Sequence, residues 1–500
     1  MTAVGDATKS EKFKKEFGQS AGNLWLSDLY MAPMPTSMLS PVVRFVKNAK
    51  RPYFCNQTRF FVLFSALLCH TFLKSNTLVL NFTIICMNGN NTGGDEYSKT
   101  EETWLYSIVA VGSLVGSIPM VLNRTAGVRY TFVLFGLISA ISTALSPLAV
   151  STGYGMLLFM RFLAGFATAA TYPVMGSITS NWSSLKQVGL YVIIQNSCVQ
   201  FGPIFTMPVA GVLCTSRFGW ESVFYVHGLC TFISFFLFFL FFRDSPQQHC
   251  CVSRRELETI WQHQQPAAIE RQKVPYGDVF TSLPIIGVWV SYVGIAIGYN
   301  LFTQYGPVYL HNVLGYKILN TGFAGAFPFI VALVSKLVTG FFGDYATCVS
   351  HKVRIILISI LSQSQMITCF ALMAFLPKDY TLECFVAFCF AINANSMSAV
   401  ATLKSGQLVA SQHSHFVMAV INMIHAVTIL VLPHVVNALA ENNTHEQWST
   451  IFLVCGSAIA ICQLFFVLLA KGEPANWTRI GNSRVKHLAS TSALDNAIEA

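Results

Sequence analysis

The sequence predicts an all-α membrane protein in which twelve transmembrane helices form two six-helix bundles. Three observations carry that prediction. Hydrophobic residues make up 53% of the 500 and charged residues 11%, with a mean hydropathy of +0.54, a composition no soluble globular chain of this size shows. Apolar runs of about 20 residues or more, the length that crosses a ~30 Å hydrocarbon core, recur along nearly the whole chain. The longest polar stretch between them, residues 243–283, divides the runs six and six.

Taken in order, residues 1–58 form a tail with Lys9, Lys12, Lys14, Lys15, Arg44, Lys47, Lys50 and Arg51. It has no short apolar core followed by a small-residue cleavage site, so helix one is expected to direct insertion. Helices one to six are predicted at 59–87, 103–123, 128–151, 153–180, 187–214 and 218–242, making an N-terminal bundle at 59–242. The linker, 243–283, carries Arg243, Arg254, Arg255, Arg271 and Lys273. Within it Ser253 and Glu256 form an S-x-x-E capping box that opens a short helix through about Gln265, ended by Pro266. Helices seven to twelve follow at 284–310, 318–343, 353–376, 380–403, 414–440 and 447–470, giving a C-terminal bundle at 284–470 and a tail at 471–500.

An even number of spans keeps both tails and the linker on one side, and their cations make that side cytosolic by the positive-inside rule. The first loop, with Asp95, Glu96, Glu101 and Glu102, then faces the lumen or exterior. The sequons at Asn90 and Asn442 fall on that face and are expected to be glycosylated. The net charge of +9 thus reports topology in a lipid bilayer; the cations gather on no single module that would bind nucleic acid. The fourteen cysteines lie mostly in apolar helices and read as small hydrophobes, predicting neither a disulfide framework nor a metal site. No cofactor motif and no nucleophile with a base at catalytic spacing occurs, so an enzyme is not expected, and a monomer suffices for function.

Isolated charges point to the function. Between Arg129 and Lys186 lie 56 residues whose only charge is Arg161. A guanidinium stays protonated, and placing it mid-membrane costs at least ~2.5 kcal/mol, so Arg161 should face an anion, a watery cavity, or carbonyls and carboxylates of the bundle itself. Gly165, Thr168 and Tyr172 follow at offsets of four, seven and eleven, on the same helical face: a gap, a hydroxyl and a phenol beside the cation, suited to an oxyanion. Pro173 is expected to bend the helix there. Lys74, in the middle of helix one, and Lys336, alone between Lys317 and Asp344, are candidates for a second anion ligand, with snorkelling or pairing as the alternative. Among His70, His227 and His425, His70 is the leading protonation candidate because it lies one turn before Lys74. Gln195, Asn196, Asn393, Asn395, Asn422 and Thr428 could line a cavity or join helices.

Six plus six helices with Gly340, Gly343, Asp344 and Arg354 after helix eight resemble the major facilitator superfamily, in which such a loop latches the cytosolic side as a gate. The matching loop after helix two, Asn123, Arg124, Gly127 and Arg129, lacks the acidic residue. Further strings, among them Arg161, Gly165, Thr171, Tyr172 and Pro173, then Met207, Pro208, Ala210 and Gly211, then Gly219 and Trp220, and later Trp448 and Phe452, resemble the organic anion and phosphate transporter family. That family contains the vesicular glutamate transporters, sialin and the sodium-phosphate cotransporters. The resemblance implies alternating access, a small organic anion or phosphate bound near the midplane, and coupling to protons, sodium or membrane potential. It also implies residence in the plasma membrane or a vesicular or lysosomal membrane. Departures are specific: Thr168 replaces the helix-four coupling glutamate, Ile295 the second substrate arginine of helix seven, and Tyr106 the helix-two histidine. Tyr106 thereby joins the candidate ligands. A carrier of neutral or cationic solutes, or a non-transporting sensor on the same scaffold, is the competing expectation.

Overall fold

A computed structural model describes residues 56–89, 97–122, 127–184, 187–261, 275–345, 351–377, 379–410, 413–470, 475 and 477–478. Residues 1–55, Asn90, residues 262–274 of the linker and most of the tail beyond 470 lie outside these residues. No strand occurs among the described residues. Helix one is α1 (Thr58–Gly89) and helix two α2 (Lys99–Leu122). Helix three comprises α3 (Val128–Ala144) and α4 (Ser146–Thr152), helix four α5 (Tyr154–Thr168) and α6 (Thr171–Trp182), and helix five α7 (Val188–Asn196) and α8 (Cys198–Cys214). Helix six is α9 (Glu221–Phe241), and the linker holds α10 (Arg254–Trp261) and α11 (Tyr276–Thr281). The second half consists of α12 (Leu283–Val308), running into a π turn at Tyr309–Val313, then α13 (Ile318–Tyr345), α14 (His351–Phe375), α15 (Thr381–Ala410), α16 (Ser414–Leu439) and α17 (His445–Leu469). Among the described residues ten spans are long and apolar enough to cross a membrane, eleven if the α3–α4 pair, bent by 49°, counts as one. At 24 residues and 1.5 Å each, about 36 Å, α2 has the length for the twelfth.

Proline explains the interruptions. Pro147 opens α4 just after the α3–α4 bend, and Gly153, at φ 129°, makes the tight turn into α5 that a side chain would resist. Helix four breaks at Ala169 and Ala170, where the ring of Pro173 would clash with the carbonyl four residues back, at Ala169. Pro203 in α8 likewise leaves the Val199 carbonyl without its helical donor. The Tyr299 hydroxyl of α12 donates to that carbonyl at 3.2 Å, tying the two halves together.

Close helix packing uses glycine. A Cβ on Gly112 of α2 would lie 2.1 Å from the Phe162 oxygen, and one on Gly165 of α5 would lie 2.1 Å from the Val109 oxygen, so α2 and α5 touch backbone to backbone. Between the halves, Ser107 of α2 donates to the Leu430 carbonyl of α16 at 3.1 Å, and α8 meets α13. Large apolar side chains such as Phe64, Leu134, Leu361 and Leu468 face outward, as a lipid-facing surface requires.

Two expectations change. Cys86 and Cys214 are disulfide-bonded, with Cα atoms 6.1 Å apart, where only small hydrophobes were expected. They end α1 and α8, at the end of the bundle opposite the linker. The capping box in the linker is only half formed: the Glu256 N–H donates to Ser253 Oγ at 3.1 Å. The Glu256 carboxylate instead accepts from the Arg59 N–H at 2.8 Å, so α10 caps the N-terminus of α1 and docks the linker onto it.

Candidate functional site

Three cavities follow one another between the halves. The outermost, about 540 Å³, is a vestibule at the disulfide end, bordered by exposed Glu441 and Asn442 and by Lys99, Glu102 and His311. Its floor includes Tyr106 of α2 and Tyr305 of α12, whose rings meet edge to face at 5.2 Å. Beyond Tyr106 lies a cavity of about 40 Å³ walled by Lys74, Thr77 and Asn81 of α1, Arg161 of α5, Tyr299, Asn300, Thr303 and Gln304 of α12, and His425 of α16. A third, of about 30 Å³, shares Lys74, Thr77 and His425 and adds Thr168, Tyr172 and Asn422. Neither small cavity has an Asp or Glu in its lining.

The two cations differ in how they are held. Arg161, 3% exposed, donates from Nη1 to the Thr77 carbonyl at 3.0 Å, from Nε to the Leu105 carbonyl at 3.3 Å, and from Nη2 to Asn81 Oδ1 at 3.4 Å. The glycine contact of α2 with α5 brings Leu105 within that reach. These acceptors carry only partial charge, so the guanidinium's positive charge is solvated but not cancelled. Lys74 is half-buried, faces both small cavities, and has no hydrogen-bond or ion-pair partner among the described residues.

A profile of the major facilitator superfamily matches residues 53–433. The chain belongs to that superfamily. Sialin of Ovis aries is 26% identical over 407 residues, covering 78% of this chain and 79% of sialin. Vesicular glutamate transporter 2 of Homo sapiens is 25% identical over 387 residues, covering 75% of this chain and 64% of that protein. Among solved structures, a D-xylose-proton symporter superposes with a TM-score of 0.65 at 14% identity, covering 83% of this chain and 98% of the symporter. A bacterial homolog of the human lysosomal transporter Spinster, inward-facing and occupied, gives 0.62 at 14%, covering 83% and 97%. These superfamily relatives are transporters, not enzymes, and the chain is a multi-pass membrane protein.

Of the residues singled out from the sequence, the fold gathers Arg161, Lys74, Tyr106, Thr168 and Tyr172 around the small cavities. Thr168 also donates to the Gly165 carbonyl at 2.7 Å. Lys336 is elsewhere: 4% exposed, it gives its three donors to Asn196 O at 3.1 Å, Asn196 Oδ1 at 2.7 Å and Gln200 Oε1 at 3.2 Å, joining α13 to α7 and α8. His70 packs at 4.8 Å from the Phe132 ring and lines none of the three cavities. Ile295 is core, its carbonyl accepting from Asn395 at 2.7 Å. Asp344 lies on α13 with its side chain outside the described residues, while Arg354 is buried near the start of α14. Gln195 holds Thr179 at 2.9 Å and Thr428 its own helix, so of the polar helix residues Asn422 alone reaches a cavity lining.

Sequence reading missed Thr77, Asn81, Asn300, Thr303 and Gln304. A signal existed: Thr77 and Asn81 follow Lys74 at offsets of three and seven, and the α12 trio spans offsets of three and four, each a polar stripe on an apolar helix. In the linker, His249, Cys250 and Cys251 bring three metal-ligating atoms within 4.8 Å. Both imidazole nitrogens are engaged, Nδ1 accepting from the Cys251 N–H at 3.2 Å and Nε2 donating to the Phe241 carbonyl at 2.9 Å, so His249 is a structural tie there.

Proposed function

We propose that this superfamily member carries a small anion, an organic carboxylate or inorganic phosphate, through the cavities between its halves, with Lys74 and Arg161 as the cations that hold it. The Lys74 ammonium carries the reading: among the described residues it faces two cavities mid-membrane without a partner, and no carboxylate lines either cavity. Such a charge costs at least ~2.5 kcal/mol, which an anion offsets and a neutral or cationic solute does not. Arg161, its donors turned to carbonyls, supplies field more than a free fork. Thr168 and Tyr172 offer hydroxyls in the deeper cavity, and the Tyr106–Tyr305 pair is the step an anion passes from the vestibule. A relative named for glutamate, an anion, supports the same class. Lys336 is left out of the ligand set and read as a strut between the halves.

The orientation belongs to the same proposal. Disulfides persist in oxidising compartments, so the Cys86–Cys214 end faces the lumen or exterior and the linker the cytosol, which also sets exposed Asn442 where glycan is added. The test is uptake into proteoliposomes of labelled phosphate, L-glutamate and N-acetylneuraminate, at two pH values, with and without sodium and an imposed potential. Saturable uptake of at least one, blocked by unlabelled anions, is expected. Uptake of none, or flux of a neutral or cationic solute indifferent to anions, overturns the reading.

A further inference from the structure

We infer that His425 of α16 is the proton-carrying group of this site, taking up a proton as the anion binds so that the two cross together. The inference rests on the anion reading and adds the coupling ion and its carrier. His425 lines both small cavities with Lys74, is 7% exposed, and makes no hydrogen bond to another residue, its Nδ1 being wholly buried. Its ring lies 5.8 Å from that of Tyr299. Other histidines of the spans are differently placed: His70 is packed on Phe132 away from the cavities, His227 bonds the Val223 carbonyl at 2.7 Å, His311 bonds the Tyr316 carbonyl at 2.7 Å, and His434 meets the Trp104 ring edge to face at 5.1 Å, neither of the last two lining a small cavity.

The titratable groups that share these cavities with His425 are Lys74 from α1, Tyr106 from α2, Arg161 from α5, Tyr172 from α6 and Tyr299 from α12. Its own helix adds Asn422, while α15 and α17, also packed on α16, place no charged side chain on either cavity. Among these groups imidazole alone ordinarily changes charge between pH 5 and 8. With no Asp or Glu among the described residues of either lining, no carboxylate competes for the proton.

The coupling is electrostatic. An imidazolium beside the fixed charges of Lys74 and Arg161 is repelled, and a bound anion removes that repulsion. By reciprocity, whatever factor the anion gives to protonation, protonation gives back to anion affinity. The proton comes from vestibule water onto a ring nitrogen of His425 and leaves to water on the other side once the anion has departed. The bonds exchanged are the N–H of His425 and the O–H of the water that gives or takes the proton, and no other covalent bond changes.

The experiment measures binding of L-glutamate, whose charge is constant between pH 5.5 and 8, to the purified full-length protein across that range, and binding of inorganic phosphate, which itself titrates within the range, at a single pH for affinity alone. Calorimetry in two buffers of different ionisation enthalpy counts protons. Wild type is expected to take up about one proton per anion, with Kd rising about tenfold per pH unit where the ring deprotonates. His425→Gln is expected to bind with a Kd of its own, flat in pH and without proton uptake. His70→Gln and His227→Gln should keep the uptake, which leaves a reading even if the His425 variant does not fold. Anion binding by wild type without proton uptake, a pH slope that survives His425→Gln, or its loss in either other variant overturns the assignment of His425 while the anion reading stands. Failure of wild type to bind phosphate or glutamate at any pH counts against the anion reading itself and takes this inference with it.

Discussion

Lys74→Met should move stability and transport in opposite directions. The substitution deletes the charge and keeps an unbranched stem, so the contact of the Lys74 Cβ with α8, where a Cβ on Gly202 would lie 3.2 Å away, is undisturbed. The empty protein then loses an unpartnered mid-membrane charge, relieving on the order of 2.5 kcal/mol and raising the unfolding midpoint. An anion loses one of its two cations. At ~4 Å and an effective dielectric of ~20 that pair is worth about 4 kcal/mol, which at ~1.4 kcal/mol per decade is a rise in KM approaching 10³-fold. Desolvation and the remaining field of Arg161 trim this, so a rise of about 10²- to 10³-fold is expected. Tryptophan-monitored unfolding in nanodiscs gives the stability, and uptake kinetics in proteoliposomes give KM. An unchanged KM refutes the ligand role. A drop in stability that parallels the loss of transport refutes the idea that Lys74 is unpartnered.

Other outcomes follow from the same geometry. Lys336→Met should do the reverse, leaving the buried acceptors of Asn196 and Gln200 unpaired at about 1–3 kcal/mol each while KM changes little; a large rise in KM would return Lys336 to the ligand set. Gly165→Ala should lower stability by about 1–3 kcal/mol, read by thermal unfolding, because its Cβ meets the Val109 oxygen and pushes α2 off α5. Cys86→Ser should cost about 2–5 kcal/mol and free Cys214 for maleimide labelling, read at Cys214 by peptide mapping because exposed Cys250 labels in any case; in the wild type Cys214 labels only after reduction. In the linker, burial lowers the pKa of His249. The unfolded ring protonates as pH falls below ~6.5 while the folded ring does not, so docking of α10 should weaken below that pH and stop weakening past the folded pKa. Hydrogen exchange at Arg254–Trp261 measures it, and His249→Asn should abolish the pH dependence.

The crossings were legible because a hydrocarbon core imposes a length, and Arg161 and Lys74 stood out because a charge in that setting needs a reason. The bends were half legible. Pro173 announces a break in helix four, but the interruption at Ala169 and Ala170 depends on which carbonyl the ring would strike. What the cations touch was not legible. Arg161 is held by the carbonyls of Thr77 and Leu105, and a carbonyl is the same whatever the side chain. Cys86 and Cys214 are 128 residues apart in runs that read as hydrophobic, and only the packing of α1 against α8 brings them together. His70 and His425 look alike in apolar helices. The difference is depth along the helix: Asn422 and His425 lie level with the deeper cavity, whereas His70, on the same face of α1 as Lys74, Thr77 and Asn81, lies one turn nearer the helix start, past the cavities and against Phe132.

Thr168 in helix four and Ile295 in helix seven, neither of them charged, have a joint consequence on the proposed reading. Both fixed cations, Lys74 and Arg161, now come from the N-terminal half, while the C-terminal half offers neutral groups: Tyr299, Asn300, Thr303, Gln304 and an imidazole. An anion is therefore bound chiefly to one half. When the halves rock apart, the second half breaks hydrogen bonds to a charged ligand, about 1.5–3 kcal/mol each, rather than separating a cation from an anion in a low dielectric. The one group there able to become a cation is His425, and it does so only while the anion is present. Charge on that half's share of the cavity lining thus appears with the substrate and leaves with it, so in the empty carrier the fixed charges of the lining, Lys74 and Arg161, stay on one half.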